Sequence, residues 1–166
     1  MSTPPSAAAA SIRRATPADV PRIHALLLEL AEYERLAHEV RATAESLHEA
    51  LFGRRPAAEA VVAEADGQTV GYALFFTTYS TFVGRPGIYL EDLYVQPPAR
   101  GRGVGKQLLS YVANLAVERG CGRLEWAVLS WNRPSIEFYE RLGARALSEW
   151  TVYRLTDADL KRLGDQ

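Results

Sequence analysis

"IYLEDLYVQPPARGRGVGKQLL", Ile88 to Leu109, is the stretch from which the rest of the chain can be read. Ile88 to Val95 has the apolar density of a buried strand, yet two adjacent carboxylates, Glu91 and Asp92, interrupt it. Gln96-Pro97-Pro98 then turns the chain, Gly101, Gly103 and Gly105 follow at every second position, and helical spacing begins at Leu108. A strand, a glycine-paved turn and a helix in that order leave backbone N–H groups unobstructed at the positive end of a helix dipole. Such a place binds anions and suits a pyrophosphate. Arg100, Arg102 and Lys106 add local positive charge. The same residues also describe a solvent-exposed turn whose glycines only permit sharp changes of φ and ψ. The glycines alone leave both readings open.

Spacing removes two familiar alternatives. A P-loop needs G-x-x-x-x-G-K-[ST], but five residues before Gly105 stands Arg100, and Lys106 is followed by Gln107. A dinucleotide fingerprint needs G-x-G-x-x-G, and its third glycine falls on Lys106 or Leu108.

Working outward, Ile12 to Arg14 read as a short strand, and Thr16, Pro17 and Asp19 as N-cap, N1 and a capping-box partner. Val20, Ile23, Leu27 and Leu30 give the following helix its apolar face. A second helix is expected over Thr43 to Leu51, ending near Gly53. "EAVVAEA" and "TVGYALFFTTY" flank Asp66-Gly67, a hairpin signal, and Ile88 to Val95 make the third strand of this region. Leu108, Leu109, Val112, Leu115 and Ala116 define a helix that stops at Gly120. "RLEWAVL" reads as a strand, Pro134 to Leu142 as a short helix opened by Asn132, and "EWTVYRL" as a last strand. The order predicts one α/β (α+β) domain: residues 12–166 around a mixed sheet with helices on its faces, after a loose tail at residues 1–11.

Composition bounds the function. The 166 residues carry 19 basic and 20 acidic side chains, so no global field points to nucleic acid or an anionic membrane. Any anion site must be local. The single cysteine, Cys121, excludes an intrachain disulfide framework and suits a reducing compartment. No His or helix start stands near it to activate the thiol, so it reads as a bystander. No stretch reaches the ~18 apolar residues of a membrane span. The expectation is a soluble, cytoplasmic protein. His24, His38 and His48 lack metal-ligand spacing, and no metal is expected.

The pattern Arg100, Gly103, Gly105 behind a strand and before a helix resembles the acetyl-CoA signature [QR]-x-x-G-x-[GA] of the GNAT N-acetyltransferases. "YLEDLYV", "WNRPSIEFYERLGA" and "IRRATPADV…LLLELAEYE" resemble one branch of it, the spermidine/spermine and thialysine N-acetyltransferases, over about Ile12 to Leu155. The resemblance implies a GNAT fold, with a mixed, mostly antiparallel sheet. It further implies acetyl-CoA as cosubstrate, held at its pyrophosphate by Arg100, Gly101, Arg102, Gly103, Val104, Gly105 and Lys106. The backbone of Leu93 and Val95 would then pair with the pantetheine arm like an added strand.

Acetyl transfer to an amine requires a proton acceptor, stabilisation of the tetrahedral oxyanion, and a leaving thiolate that departs more easily once protonated. By resemblance Glu91 is the base, acting through water, and Asp92 contacts the cationic substrate. Adjacent strand residues face opposite sides, so the two share a site only if a bulge realigns them. Tyr139, in "SIEFYERLG", matches the family's general acid beside the CoA sulfur. Asn132 is a helix cap, a CoA contact, or both.

The segment "TTYSTFVGRPGIYLED" departs from the polyamine enzymes, since Ser80 and Phe82 stand where those carry an acidic residue and a tryptophan. The "YST" pattern is closer to the thialysine-type branch. Glu29 reads either as an exposed helix residue or as a contact for a distal ammonium. The resulting expectation is acetyl transfer to a small primary amine, a lysine-like amino acid or a diamine, in a homodimer. Alternatives are a non-catalytic acyl-CoA-binding module and a peptide or protein N-acetyltransferase. An RGG-like nucleic-acid contact at "ARGRGVGK" is disfavoured, because that run has no interleaved aromatics.

Overall fold

The computed structural model describes residues 10–165, so residues 1–9 of the expected tail lie outside it; Ser11 already belongs to the first strand. The chain divides into two compact units, one running to Ala127 and one from Val128 onward.

The first unit contains β1 (Ser11–Arg14), α1 (Val20–Tyr33), α2 (Ala44–Phe52), β2 (Glu59–Ala65), β3 (Gln68–Ser80), β4 (Arg85–Val95), α3 (Val104–Glu118) and β5 (Leu124–Trp126). The strands lie in sequence order in one five-stranded sheet. Neighbours run antiparallel except β4 and β5, which are parallel. Direct hairpins force the β2–β3 and β3–β4 pairs to be antiparallel, and β1 reaches β2 through α1 and α2; the crossover through α3 returns the chain to the same end and makes the last pair parallel. At the β2–β3 turn Asp66 and Gly67 have φ of 52° and 74°. Two left-handed residues in a two-residue loop match the right-handed twist of the flanking strands.

Strand alternation sorts the core into two layers. Ala60, Val62, Tyr72, Leu74 and Tyr94 pack against Val20, Ile23 and Leu26 of α1 and Leu47 and Leu51 of α2. The opposite parity, Val61, Ala63, Ala73, Phe75, Ile88 and Leu90, is also buried, and α3 packs on β3 and β4. Burying each large aliphatic side chain contributes about 1.5–3 kcal/mol. The innermost residues of α1 are Val20, Ile23, Leu26 and Ala31, whereas Leu27 and Leu30 flank the core. The expected apolar face is therefore rotated slightly.

A polar knot fixes where α1 begins. The Arg13 guanidinium donates through Nε to Glu64 Oε2 at 2.6 Å and through Nη1 and Nη2 to Asp19 at 2.7 and 2.9 Å. Asp19 Oδ2 also accepts from the Thr16 N–H at 2.7 Å and the Thr16 hydroxyl at 2.9 Å, the backward half of the capping box. Pro17–Asp19 form a single 3-10 turn before α1. One arginine thereby joins β1 to β2 and to the helix entrance.

In the second unit, α4 (Arg133–Arg141) and α5 (Asp157–Gly164) are the regular elements. Residues 149–155, expected as a strand, form no ladder. An extended segment is held by its neighbour's hydrogen bonds, and among the described residues this unit contains no other strand to supply them. Likewise β5 spans only Leu124–Trp126 of the expected "RLEWAVL". The helix α5 was not anticipated, although Thr156, Asp157 and Asp159 before Lys161 and Arg162 are start and stop signals. No helix among the described residues is long and apolar enough to cross a membrane.

The Arg13 contact holds the Asp19 carboxyl down to about 2. A folded pKa below the unfolded value stabilises above about pH 4, and that contribution fades as pH falls toward 2. Asp19→Asn is expected to lower stability by about 1–2 kcal/mol at pH 7, the figure allowing for the solvent around Arg13. Urea titrations at pH 7 and pH 2.5 should show the difference shrinking at the lower pH.

Candidate active site

The register of β3 against β4 slips at the two carboxylates. Leu74 faces Asp92 and Phe75 faces Leu90, which leaves Glu91 as an extra residue. This is a β-bulge, where two residues of one strand oppose one of the other. Backbone hydrogen bonds give independent evidence. The Ile88 N–H donates to Arg123 O on the β5 side, at 3.1 Å, and the Gln96 N–H donates to Val70 O on β3, at 2.9 Å. By alternation from Gln96, the Leu93 and Val95 amides face away from β3, the same way as Ile88. Ile88 and Val95 stand an odd number of residues apart, so only an inserted residue gives them the same side.

The bulge coincides with the end of the β4–β5 ladder. Pairing runs from Ile88–Leu124 to Leu90–Trp126, and Glu91 to Val95 continue beyond it. The Leu93 and Val95 backbone thus lies at a sheet edge within a long strand, where an amide-bearing chain could add as a strand.

Directly behind this edge comes the turn. Gly101 and Gly103 hold φ of 74° and 79°, the left-handed region that favours glycine, and Gly103 is the N-cap of α3. Arg102 and Lys106 are exposed, Val104 is buried at the start of α3, and Gly105 lies in its first turn. Arg100 is placed differently from its neighbours. Its Nε donates to Val95 O at 2.7 Å and its guanidinium lies 5.3 Å from the Tyr33 ring centre and 5.4 Å from that of Tyr94. It braces the turn against β4 and α1. Gln107 was passed over in the sequence. Its Oε1 is a buried side-chain oxygen with no hydrogen-bond partner among the described residues, an acceptor in the first turns of α3 that suits an N–H donor.

Glu29 is neither exposed nor idle. It accepts from the Tyr94 hydroxyl at 3.2 Å and from Gln96 Nε2 at 2.9 and 3.1 Å, and Arg22 Nη1 lies 3.7 Å away. It ties α1 to the end of β4. No sequence spacing announces the link to β4, because Tyr94 and Gln96 stand more than sixty residues away.

The bulge turns Asp92 onto the α1 face, where Tyr72 donates its hydroxyl to Oδ2 at 3.0 Å. Burial raises the Asp92 carboxyl to about 6; the Tyr72 bond opposes the shift, while the charges of Glu91 and Glu34 add to it. Burial also raises Glu34, at the C-cap of α1, and burial with the Asp92 charge raises Tyr72. Glu91 is exposed. The arrangement places a solvent-facing carboxylate next to an inward one, both beside the free strand edge.

On the β3–β4 hairpin, Ser80 is buried and its Oγ accepts from the Val83 N–H at 3.2 Å, whereas Phe82 is 97% exposed at the tip. In the second unit, Asn132 is the N-cap of α4, its Oδ1 accepting from the Ser135 N–H at 3.4 Å. Tyr139 sits in the last turns of α4 with its ring tilted against Phe138, centroids 5.2 Å apart. Among the described residues no cluster of three or more His, Cys, Asp or Glu forms a metal-binding set.

Comparison with known proteins bears on this arrangement. Residues 21–144 match the Acetyltransferase (GNAT) family. The chain is 40% identical over 163 residues to the thialysine N-epsilon-acetyltransferase of Bos taurus, covering 92% of this chain and 95% of that protein. It is 33% identical to the L-ornithine N5-acetyltransferase of Arabidopsis thaliana, covering 92% of this chain and 86% of that one. An integron cassette protein from the mobile metagenome of V. cholerae has the same fold, with a TM-score of 0.80 at 24% identity over 96% of this chain and 99% of its own.

The raised Asp92 carboxyl carries a stability signature. Below about pH 4 it is protonated whether folded or unfolded and exerts no effect. As pH rises through the window up to about 6 the unfolded chain releases the proton first, and stability falls. Asp92→Asn is therefore expected to be more stable than the parent by about 2 kcal/mol at pH 8, with the gap closing near pH 4. Thermal melts across that range will check it.

Proposed function

This chain belongs to the GNAT acetyltransferase family, and from that premise we propose that it moves the acetyl group of acetyl-CoA onto a primary amine of a small molecule, a lysine-like amino acid or a diamine. The observation that carries this reading is the bulge at Glu91, which sets two carboxylates beside a free strand edge and a glycine turn. The named activities of the relatives, on thialysine and on ornithine, support an acceptor with a side-chain amine.

In this reading the amides of Arg100 to Gly105 hold the pyrophosphate, with Arg102 and Lys106 as nearby cations. The Leu93 and Val95 backbone pairs with the pantetheine arm. The Gln107 Oε1 and the open edge are features of this chain that fit such a ligand. Asp92 faces the cationic acceptor, Glu29 adds negative charge behind it, and Ser80 and Phe82 belong to the hairpin on the acceptor side. Asn132 caps α4 and contacts the cosubstrate.

The chemistry is a direct attack within a ternary complex. Glu91 takes a proton from the ammonium through a water molecule, and the free amine forms a C–N bond at the thioester carbon. An amide N–H near Leu93 stabilises the oxyanion. The C–S bond then breaks, and Tyr139 donates its proton to the departing thiolate. A phenol ordinarily titrates near ~10 and so carries that proton at neutral pH. The nitrogen gives up a second proton as the amide forms, which reprotonates the phenolate through solvent, and Glu91 releases the first proton to solvent. We place the enzyme in the cytoplasm as a homodimer.

Release of CoA thiol should be followed with thialysine, lysine, ornithine, putrescine, spermidine and a short peptide. Turnover on a small amine is expected, and Tyr139→Phe should lose about 10²–10⁴-fold in kcat. Calorimetric CoA affinity should stay unchanged in that variant. Tight CoA binding without turnover on any acceptor would favour an acyl-CoA-binding module; preference for the peptide would favour a protein substrate.

Gly103→Ala tests the cradle. Nothing lies within 4 Å of an added Cβ, so the effect must come from backbone strain at φ +79° rather than from a clash. With about 1–2 kcal/mol of such strain, KM for acetyl-CoA should rise about tenfold with kcat little altered.

A further inference from the structure

The buried hydroxyl of Tyr72 has a partner that depends on the bulge. Tyr72 pairs with Tyr94 across the β3–β4 ladder, and Leu74 pairs with Asp92. Tyr72 and Asp92 are thus diagonal neighbours on one sheet face, a separation that a tyrosine can span. Without the extra residue at Glu91, the Asp92 side chain would point to the α3 face and the bond could not form. Tyr72 has no exposed surface, so its ring is held by the α1–α2 core and the hydroxyl has little freedom to follow another partner.

We propose that Tyr72 is a positioning residue of the acceptor site: from β3, its phenol fixes the Asp92 carboxylate for the ammonium group of the incoming amine. The inference rests on the function proposed above. The groups facing Asp92 are Tyr72 from β3, Glu34 from the end of α1, and Glu91 from its own bulge. Two of those three are acids, which favour the neutral form of Asp92. The hydroxyl donor opposes them and supports the anion, the form that attracts a cation. A carboxylate next to the free edge would otherwise be protonated more readily and free to rotate. Tyr72 touches neither substrate nor cosubstrate in this scheme and acts through Asp92.

The consequence is a pH dependence that a purely structural tyrosine would not produce. Tyr72→Phe keeps the ring and removes only the donor. The acid limb of kcat/KM for ornithine or thialysine should move upward by about one pH unit. At pH 7 KM for the amine should rise about tenfold, while kcat at saturating amine and pH 9 stays near the parent's. In an Asp92→Asn background the same change should add nothing, which identifies the pair as one unit. Should Tyr72→Phe fail to fold, Asp92→Glu keeps the charge but displaces the carboxylate from the hydroxyl, and the same limb shift is expected.

Two readouts separate this proposal from the function it rests on. The Asp92 carboxyl carbon, followed by NMR titration without any substrate, should titrate higher in Tyr72→Phe than in the parent. Calorimetric binding of ornithine at pH 6 and pH 8 reports positioning without turnover. If the parent acetylates amines but neither the limb nor the NMR midpoint moves, the role of Tyr72 is overturned while the enzyme reading stands. If the parent acetylates no amine, the function proposed above fails. The Tyr72 role is then decided by calorimetry: unchanged ornithine binding in Tyr72→Phe overturns it, and a loss greater at pH 6 than at pH 8 upholds it.

Discussion

One extra residue in β4 governs most of what is distinctive in this molecule. Strand side chains alternate with period two, so inserting Glu91 exchanges inward and outward for everything after it. Before the bulge, Leu90 belongs to the layer with Phe75; after it, Asp92 and Tyr94 belong to the layer with Tyr72 and Leu74. The same parity change turns the Leu93 and Val95 amides toward the side on which β5 has ended. A solvent-facing carboxylate, an inward carboxylate and two amides turned toward the end of the β4–β5 ladder are thus consequences of a single irregularity.

Around that irregularity the structure invests polar contacts rather than more apolar packing. Glu29 gathers Tyr94, Gln96 and Arg22, and Arg100 returns from the turn to Val95 and the rings of Tyr33 and Tyr94. These links run from α1 to the end of β4 and on to the glycine turn. Asp92 works in the other direction: its burial opposes ionisation and costs stability at neutral pH. A destabilised carboxylate at a strand edge is typical of a site kept for chemistry rather than for folding.

Much of the fold was legible. A short apolar run beside the Asp66-Gly67 turn signal located β2 residue for residue, with its hairpin. The i, i+3, i+4 spacing found α3, and Thr16 to Asp19 marked the start of α1. The misses have a common cause. "EWTVYRL" has strand composition but no described neighbour to pair with, and the partners of Glu29 lie across the sheet. Pattern reports what a segment can bury; it does not report which neighbour arrives. In α5 the signals were present, in Thr156 and the charges that follow.

For the site the division is equally physical. Residue type and spacing alone gave the glycine turn, excluded the P-loop and the dinucleotide fingerprint, and showed that polar groups break β4, because these are local properties of backbone freedom and side-chain chemistry. Whether Glu91 and Asp92 could share a site was undecidable from the chain, since adjacent strand residues diverge unless a bulge intervenes. Only the pairing of β4 with β3 introduced that bulge, and only the packed sheet placed Tyr72 under Asp92 and Arg100 over two tyrosine rings. Register and burial are properties of two segments together, and no single segment encodes them.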